Sequence, residues 1–327
     1  IETVFIMVTA ESYYEKVVAT AELAPDDYMI KPFSPELLRS RLESILLKKW
    51  AFRDTYRHFM AGELEDAIAA CDQLIRGKSK HLVDALRFKG ELLVALGRFE
   101  EAEALYQQVI SMRAVPWARL GLARALHQQN KDAAAEDVLR DVMEQAPEMV
   151  AAYDLLSEVC LAKKDAPAAQ QALERGVAIS ARTVRRQQRL GEIAQNNGDL
   201  DTARAAFSSV LEKGLHSVFV SPSDFGNLCR VQLEQGDLQG VAKTLRDNKS
   251  ILQGSPEGQL VVAVAQGMAH VKAGNLEAAA KSVAAAAALR ASGTHGDPAL
   301  MLDLAGTCMV SGRLEEADSI VAEVARN

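Results

Sequence analysis

Cysteine is scarce in this chain, and the four thiols, at 71, 160, 229 and 308, lie far apart. That spacing is not that of a thiolate metal site, and each thiol reads as a buried packing residue of a repeat rather than as part of a cysteine framework. Aromatic residues make up only 5% of the sequence. Positive charge is also short: 37 Lys and Arg face 44 Asp and Glu, a net charge of −7. With no basic surface interleaved with aromatics, nucleic acid is a poor partner. There is no long apolar span and no secretory leader, so no membrane association is expected and a cytoplasmic location fits. The six histidines are dispersed, without a recurring carboxylate partner. No Gly-rich phosphate loop, nucleophile elbow or metalloprotease motif occurs. The sequence therefore predicts no enzyme, no catalytic residue and no metal site.

What the chain has is repetition. The turn Ala61-Gly62-Glu63-Leu64-Glu65-Asp66-Ala67 returns as Leu96-Gly97-Arg98-Phe99-Glu100-Glu101-Ala102, with variants centred on 130, 164, 198, 236, 274 and 312. The steps between turns are 35, 33, 34, 34, 38, 38 and 38 residues. Glycine at most of these points suits a helix end that needs a left-handed residue. Seven residues before each turn stand Thr55, Gly90, Ala123, Ser157, Gly191, Cys229, Gly267 and Ala305. Five residues after stand Ala67, Ala102, Ala135, Ala169, Ala203, Val241, Ala279 and Ala317. Small side chains at two fixed points let successive helices approach closely. The longer steps predict longer connections near Ser221-Pro222, Ser255-Pro256 and 293–298, and a change of curvature or a hinge after the fourth unit. The Ala-rich run 278–291 keeps the register and reads as a packed helix. Residues 50–327 resemble the tetratricopeptide family over about eight helix-turn-helix units, although the usual Trp and Tyr positions mostly hold other residues.

The first 49 residues differ. Thr3–Val8 is a β-branched apolar run that reads as a strand buried on both faces. A helical segment follows over 12–23, and then a second strand, Tyr28-Met29-Ile30. Ser34 is a good N-cap, with Pro35 at the first helical position of a helix running through Leu37, Leu38, Leu42, Ile45 and Leu46. This βαβα order predicts a parallel sheet. Thr9 and Lys31 end the two strands, where open α/β sheets bind ligands. They suit a phosphoryl anion, or else Thr9 caps a helix and Lys31 is a solvated charge.

Val8-Thr9-Ala10-Glu11 and Tyr28-Met29-Ile30-Lys31-Pro32-Phe33 resemble the second half of a two-component receiver domain. The resemblance implies that Thr9 is the switch hydroxyl, Lys31 the phosphoryl-pairing lysine, Tyr28 the aromatic switch and Pro32 a residue after a cis bond. It also implies Mg²⁺ and a histidine kinase or phosphotransfer partner for an intact receiver. The acidic pair and acceptor Asp of that family are absent from this sequence, which starts on Ile1 and reads as a fragment; its last helix has no clear polar cap, as though the chain continued. No cofactor is expected here. The expected fold is mainly α: a tetratricopeptide-type α-solenoid over 50–327, preceded by a partial flavodoxin-like α/β receiver over 1–49. The residual strands should be frayed, or paired with another copy in a homodimer. No Gly or Pro interrupts 36–61, so one stiff helix across 45–55 is expected.

Arg182, Arg185, Arg186 and Arg189 stand at i, i+3, i+4 and i+7 on the first helix of the fifth unit. They predict one basic stripe, either docking an acidic protein or peptide or simply solvated. The resemblance to tetratricopeptide arrays, whose first helices line a groove, adds Arg87, Arg124 and Arg230 to that inward set. The resulting functional reading is a response regulator whose output is protein binding through its repeats. The alternative is a constitutive scaffold or chaperone with a degenerate receiver used for docking or dimerisation.

Overall fold

In the computed structural model of the chain, the described residues are 3–10, 25–113, 115–181, 183–214, 217 and 219–326. The expected helix over 12–23 falls outside them. The chain divides into two compact units, Ile1–Thr183 and Val184–Asn327. The division falls between the fourth and fifth helical hairpins.

Unit 1 begins with two strands, β1 (Ile6–Thr9) and β2 (Asp27–Ile30), paired in parallel with Ile6 opposite Asp27 and Thr9 opposite Ile30. This overturns the expectation of fraying. The ladder is tied at its start by Asp26, whose N–H donates to the Phe5 carbonyl at 2.8 Å and whose carboxylate accepts from the Phe5 N–H at 2.7 Å. Burial on both faces is also overturned: Met29 is buried, whereas Phe5, Val8 and Ile30 are exposed. Helix α1 (Pro35–Ala51) follows, capped by the Ser34 hydroxyl, which accepts from the Leu37 N–H. Ion pairs from Arg41 to Asp27 and from Lys49 to Asp26 join α1 to the second strand and the residue before it.

The single helix expected across 45–55 is two. Phe52 separates α1 from α2 (Arg53–Met60). Its N–H still donates to Lys48 and its carbonyl still accepts from Tyr56, so the ladder continues through a bend. The reason is aromatic burial: the Phe52 ring is 2% exposed and packs on Tyr56, His81 and Phe88. Tertiary packing here overrides an otherwise uninterrupted local pattern.

From α2 onward the elements pair as helical hairpins. Unit 1 holds α2 with α3 (Leu64–Arg76), α4 (Leu82–Ala95) with α5 (Phe99–Met112), α6 (Pro116–Gln128) with α7 (Asp132–Gln145), and α8 (Val150–Ala162) with α9 (Ala166–Ile179). Unit 2 holds α10 (Val184–Asn196) with α11 (Leu200–Gly214), and α12 (Pro222–Glu234) with α13 (Leu238–Asp247). The short α14 (Lys249–Leu252) lies in a stretch expected as loop; then come α15 (Pro256–Lys272) with α16 (Leu276–Ala291), and α17 (Pro298–Val310) with α18 (Leu314–Val324).

Each of the eight hairpin turns contains one left-handed residue: glycine at 62, 97, 198, 236, 274 and 312, Asn130 (φ 60°) and Lys164 (φ 63°). The repeat geometry forces that conformation even where no glycine supplies it. All sixteen of the small residues in register are buried. At two of the three glycines in the first of these positions an aromatic ring fills the space: a Cβ on Gly90 would meet Tyr106 at 2.6 Å, and one on Gly191 would meet Phe207 at 2.6 Å, whereas one on Gly267 would meet Thr307 at 3.0 Å. The four cysteines are buried, and burial pushes the Cys71 and Cys229 thiols up to about 11 and about 12, far from nucleophilic.

Candidate functional site

In unit 2, a cleft of about 570 Å³ opens between the first helices α10 and α12 and the start of α17, floored by Phe207. Two N-terminal caps shape it. Ser221 precedes Pro222, and its N–H donates to Asp224 Oδ2 at 2.8 Å. Asp297 precedes Pro298, and its carboxylate accepts from the Leu300 N–H at 2.8 Å. The buried Asp224 carboxylate also accepts from Gln188 Nε2 at 2.8 Å, while Gln188 donates to the Phe219 carbonyl at 3.0 Å. Buried charge needs such partners, and meeting that need fixes Gln188 at the cleft wall.

The cleft presents amides, hydroxyls and carboxylates: Gln188, Glu192, Gln195, Asn196, Ser223, Asn227 and Asp297, with Arg230 as its cation. Arg230 is spoken for. Its Nη2 lies 2.6 Å from Asp303 Oδ2 and its Nη1 donates to Asn227 Oδ1 at 2.9 Å, with both charged side chains less than one-fifth exposed. Burial outweighs the guanidinium and raises the Asp303 carboxyl above the ordinary carboxylate range. The single basic stripe is therefore corrected. Arg186 is buried, Arg185 is exposed with its guanidinium 4.4 Å from the Phe219 ring centroid, and Arg189 pairs with Glu192 at 3.1 Å. Arg182 lies outside the described residues. The period of 3.6 placed these arginines within one arc, but α10 packs closely on α11, and the arc straddles the buried edge.

In unit 1, Arg87 and Arg124 are exposed on the first helices α4 and α6. Arg87 pairs with Glu91 at 3.0 Å. Both arginines act on the hydroxyl of Tyr106, which burial, helped by Glu91, nevertheless pushes up to about 12. The ring of Tyr106 fits between Gly90 and Gly121.

Thr9 and Lys31 end the two paired strands side by side, the Lys31 N–H donating to the Thr9 carbonyl at 2.7 Å. The Lys31–Pro32 bond is cis, and Tyr28 is half-buried on β2. At the first hairpin turn, ligand-type atoms of His58, Glu63 and Asp66 lie within 4.8 Å of one another. His58 Nδ1 and Glu63 Oε2 are 2.6 Å apart, a bond that bridges the turn. Sequence spacing missed the cleft because its polar residues come from three helices spread over more than a hundred residues; the Ser-Pro and Asp-Pro caps were its only local signal.

Stacked helical hairpins with a left-handed residue at each turn and small residues in register define an α-solenoid class of repeat protein. Residues 89–149 and 264–325 match the family model for the tetratricopeptide repeat, so these two stretches carry tetratricopeptide repeats. Its fold is similar to the C-terminal part of a tetratricopeptide repeat-containing protein from Cytophaga hutchinsonii: 14% identity, TM-score 0.56, covering 73% of this chain and 95% of that one. Lesser likenesses are to MamA from Desulfovibrio magneticus RS-1 (22% identity, TM-score 0.43, 52% of this chain and 96% of that one) and to a tetratricopeptide repeat protein from Parabacteroides merdae (13% identity, TM-score 0.44, 82% and 98%). No curated protein matches the chain. Among the described residues, no helix is long and apolar enough to cross a membrane.

Proposed function

We propose that the chain is a constitutive interaction scaffold whose repeats hold a protein partner, with the cleft of unit 2 as the principal seat. The observation that carries this is the cleft itself: about 570 Å³, lined by fixed amides and carboxylates from three helices. Such a surface suits an extended protein segment, whose backbone it can hydrogen-bond and whose basic side chains its acidic bias favours. The acidic ligand first expected fits unit 2 poorly, since Arg230 is neutralised and Arg186 buried. It fits unit 1 better, where Arg87 and Arg124 are exposed. The variant Glu192→Lys/Asn196→Ala alters two exposed cleft residues. It should weaken partner binding by about tenfold or more, whereas Arg185→Glu/Arg189→Glu should leave binding unchanged or tighter. Isothermal titration decides, and unchanged affinity in the first variant removes the cleft from the account.

A second reading is supported by one feature. Thr9 and Lys31 lie side by side at the carboxyl ends of parallel strands, followed by a cis Lys31–Pro32 bond. In it the first 49 residues form part of a receiver, with Tyr28 as the aromatic switch. A histidine kinase or phosphotransfer protein would then phosphorylate an intact receiver holding Mg²⁺, and the repeats would be its output. Beryllofluoride, a phosphoryl mimic, should then change the partner affinity of a protein with the acceptor Asp; unchanged affinity leaves the scaffold reading.

A further inference from the structure

We propose that the groove between α1 and α2 seats a second copy of this chain, making the protein a two-fold dimer through these helices rather than through its strand edges. The bend at Phe52 turns two stripes toward each other. Glu43, Leu46, Leu47 and Trp50 stand at i, i+3, i+4 and i+7 on α1; Arg53, Tyr56, Arg57 and Met60 do the same on α2. Together with Lys49, which is paired with Asp26, they line a predominantly apolar groove of about 820 Å³.

Trp50 is 61% exposed and Met60 74%, with Leu46 and Leu47 also exposed beside them. A contiguous apolar patch of this kind marks an interaction surface rather than scattered surface residues. Trp, Tyr, Arg and Met are the anchor types of interface centres. Arg53 already stacks over the Trp50 ring, its Cζ 4.4 Å from the centroid, which presents a flat amphipathic face to an incoming helix.

Charge identifies the occupant. The patch is acidic at one end and basic at the other. Glu43 has no ion-pair partner among the described residues. At the far end Arg53 and Arg57 share one carboxylate, Asp54, at 3.6 and 3.4 Å. A two-fold axis near Leu47 and Trp50 lays α1 of one copy antiparallel in the groove of the other. It sets Glu43 of each copy against Arg53 and Arg57 of its mate. The same stripe then serves as wall and as ligand, which is the requirement for a closed, isologous interface.

The test is sedimentation equilibrium on the 327-residue chain. The chain should dimerise in the micromolar range or tighter. Trp50→Glu should be monomeric with an unchanged far-UV circular dichroism spectrum, because the side chain is exposed. Glu43→Arg alone and Arg53→Glu/Arg57→Glu alone should each weaken the dimer by about tenfold, and the triple variant should recover it, since a direct charge pair couples the two sites. The emission of Trp50, read in a Trp117→Phe background, should shift to the blue as concentration rises. A monomer at every concentration, a dimer indifferent to Trp50→Glu, or a triple variant no better than its parents would overturn the proposal. So would occupation of this groove by a different protein while the chain stays monomeric.

Discussion

Gly191→Leu lowers the unfolding free energy of unit 2 by about 3 kcal/mol, toward the upper end for overpacking a well-packed core. Even the first carbon of the new side chain would lie 2.6–2.9 Å from three atoms of the Phe207 ring. That ring is fully buried. Gly191→Ala suffers the same collision, so the helix-propensity gain of about 1 kcal/mol that Ala normally brings over Gly is lost. Gly226 in α12 is the control. Its added Cβ would lie 3.7 Å from Leu300 and Val261, an ordinary contact. Gly226→Ala is therefore expected to be neutral or stabilising by about 0.5–1 kcal/mol. Phe207→Ala alone costs about 3–5 kcal/mol through its cavity. Combined with Gly191→Leu it costs less than the sum, because the leucine enters the space the ring leaves. Urea unfolding of the five proteins checks the set.

Asp303→Ala is the second large effect, at about 2–3 kcal/mol. It strips the close ionic partner from Arg230, whose side chain is 16% exposed and would keep only Asn227. Breaking a buried pair from one side typically costs about 3–5 kcal/mol, and the residual solvent contact reduces that here. Replacing both members with apolar residues of similar volume should be nearly neutral, since the desolvation cost disappears with the charges. The raised carboxyl gives a further check on sign. Folding favours the protonated form of Asp303, so this group contributes most to stability below its unfolded pKa, and the contribution is lost as pH rises through the folded value. Asp303→Asn keeps an oxygen for the guanidinium and should cost less than Asp303→Ala, with a weaker dependence of unit 2 stability on acid pH.

The periodic parts of the molecule were legible because they are local. A residue seven before and one five after each turn must be small wherever two helices touch, and all sixteen are buried. Asn130 and Lys164 were placed at turns by register alone, and both are left-handed. What escaped the sequence is pairwise and distant. The small residue at 191 was readable, but not that Phe207 fills the space it leaves. Arg230 was placed on a first helix, but its partner Asp303 lies 73 residues on, so its charge was counted as available. Arg186 was assigned to an exposed stripe because a period of 3.6 gives an arc and not its orientation. Phe52 bends a stretch, 36–61, that carries no glycine or proline, since only the folded chain brings His81 and Phe88 to its ring.

The account rests on the repeats, and on the cleft of unit 2 in particular, as the working surface. Hydrogen exchange on the 327-residue chain, followed by mass spectrometry with and without its bound protein partner, reads that surface directly. Protection is predicted at the cleft-lining parts of α10, α12 and the start of α17, around Gln188, Asn227 and Asp297, with α11, α13 and α16 little changed. Protection confined to residues 3–10 and 25–33, or to the second helices of the hairpins, would contradict it.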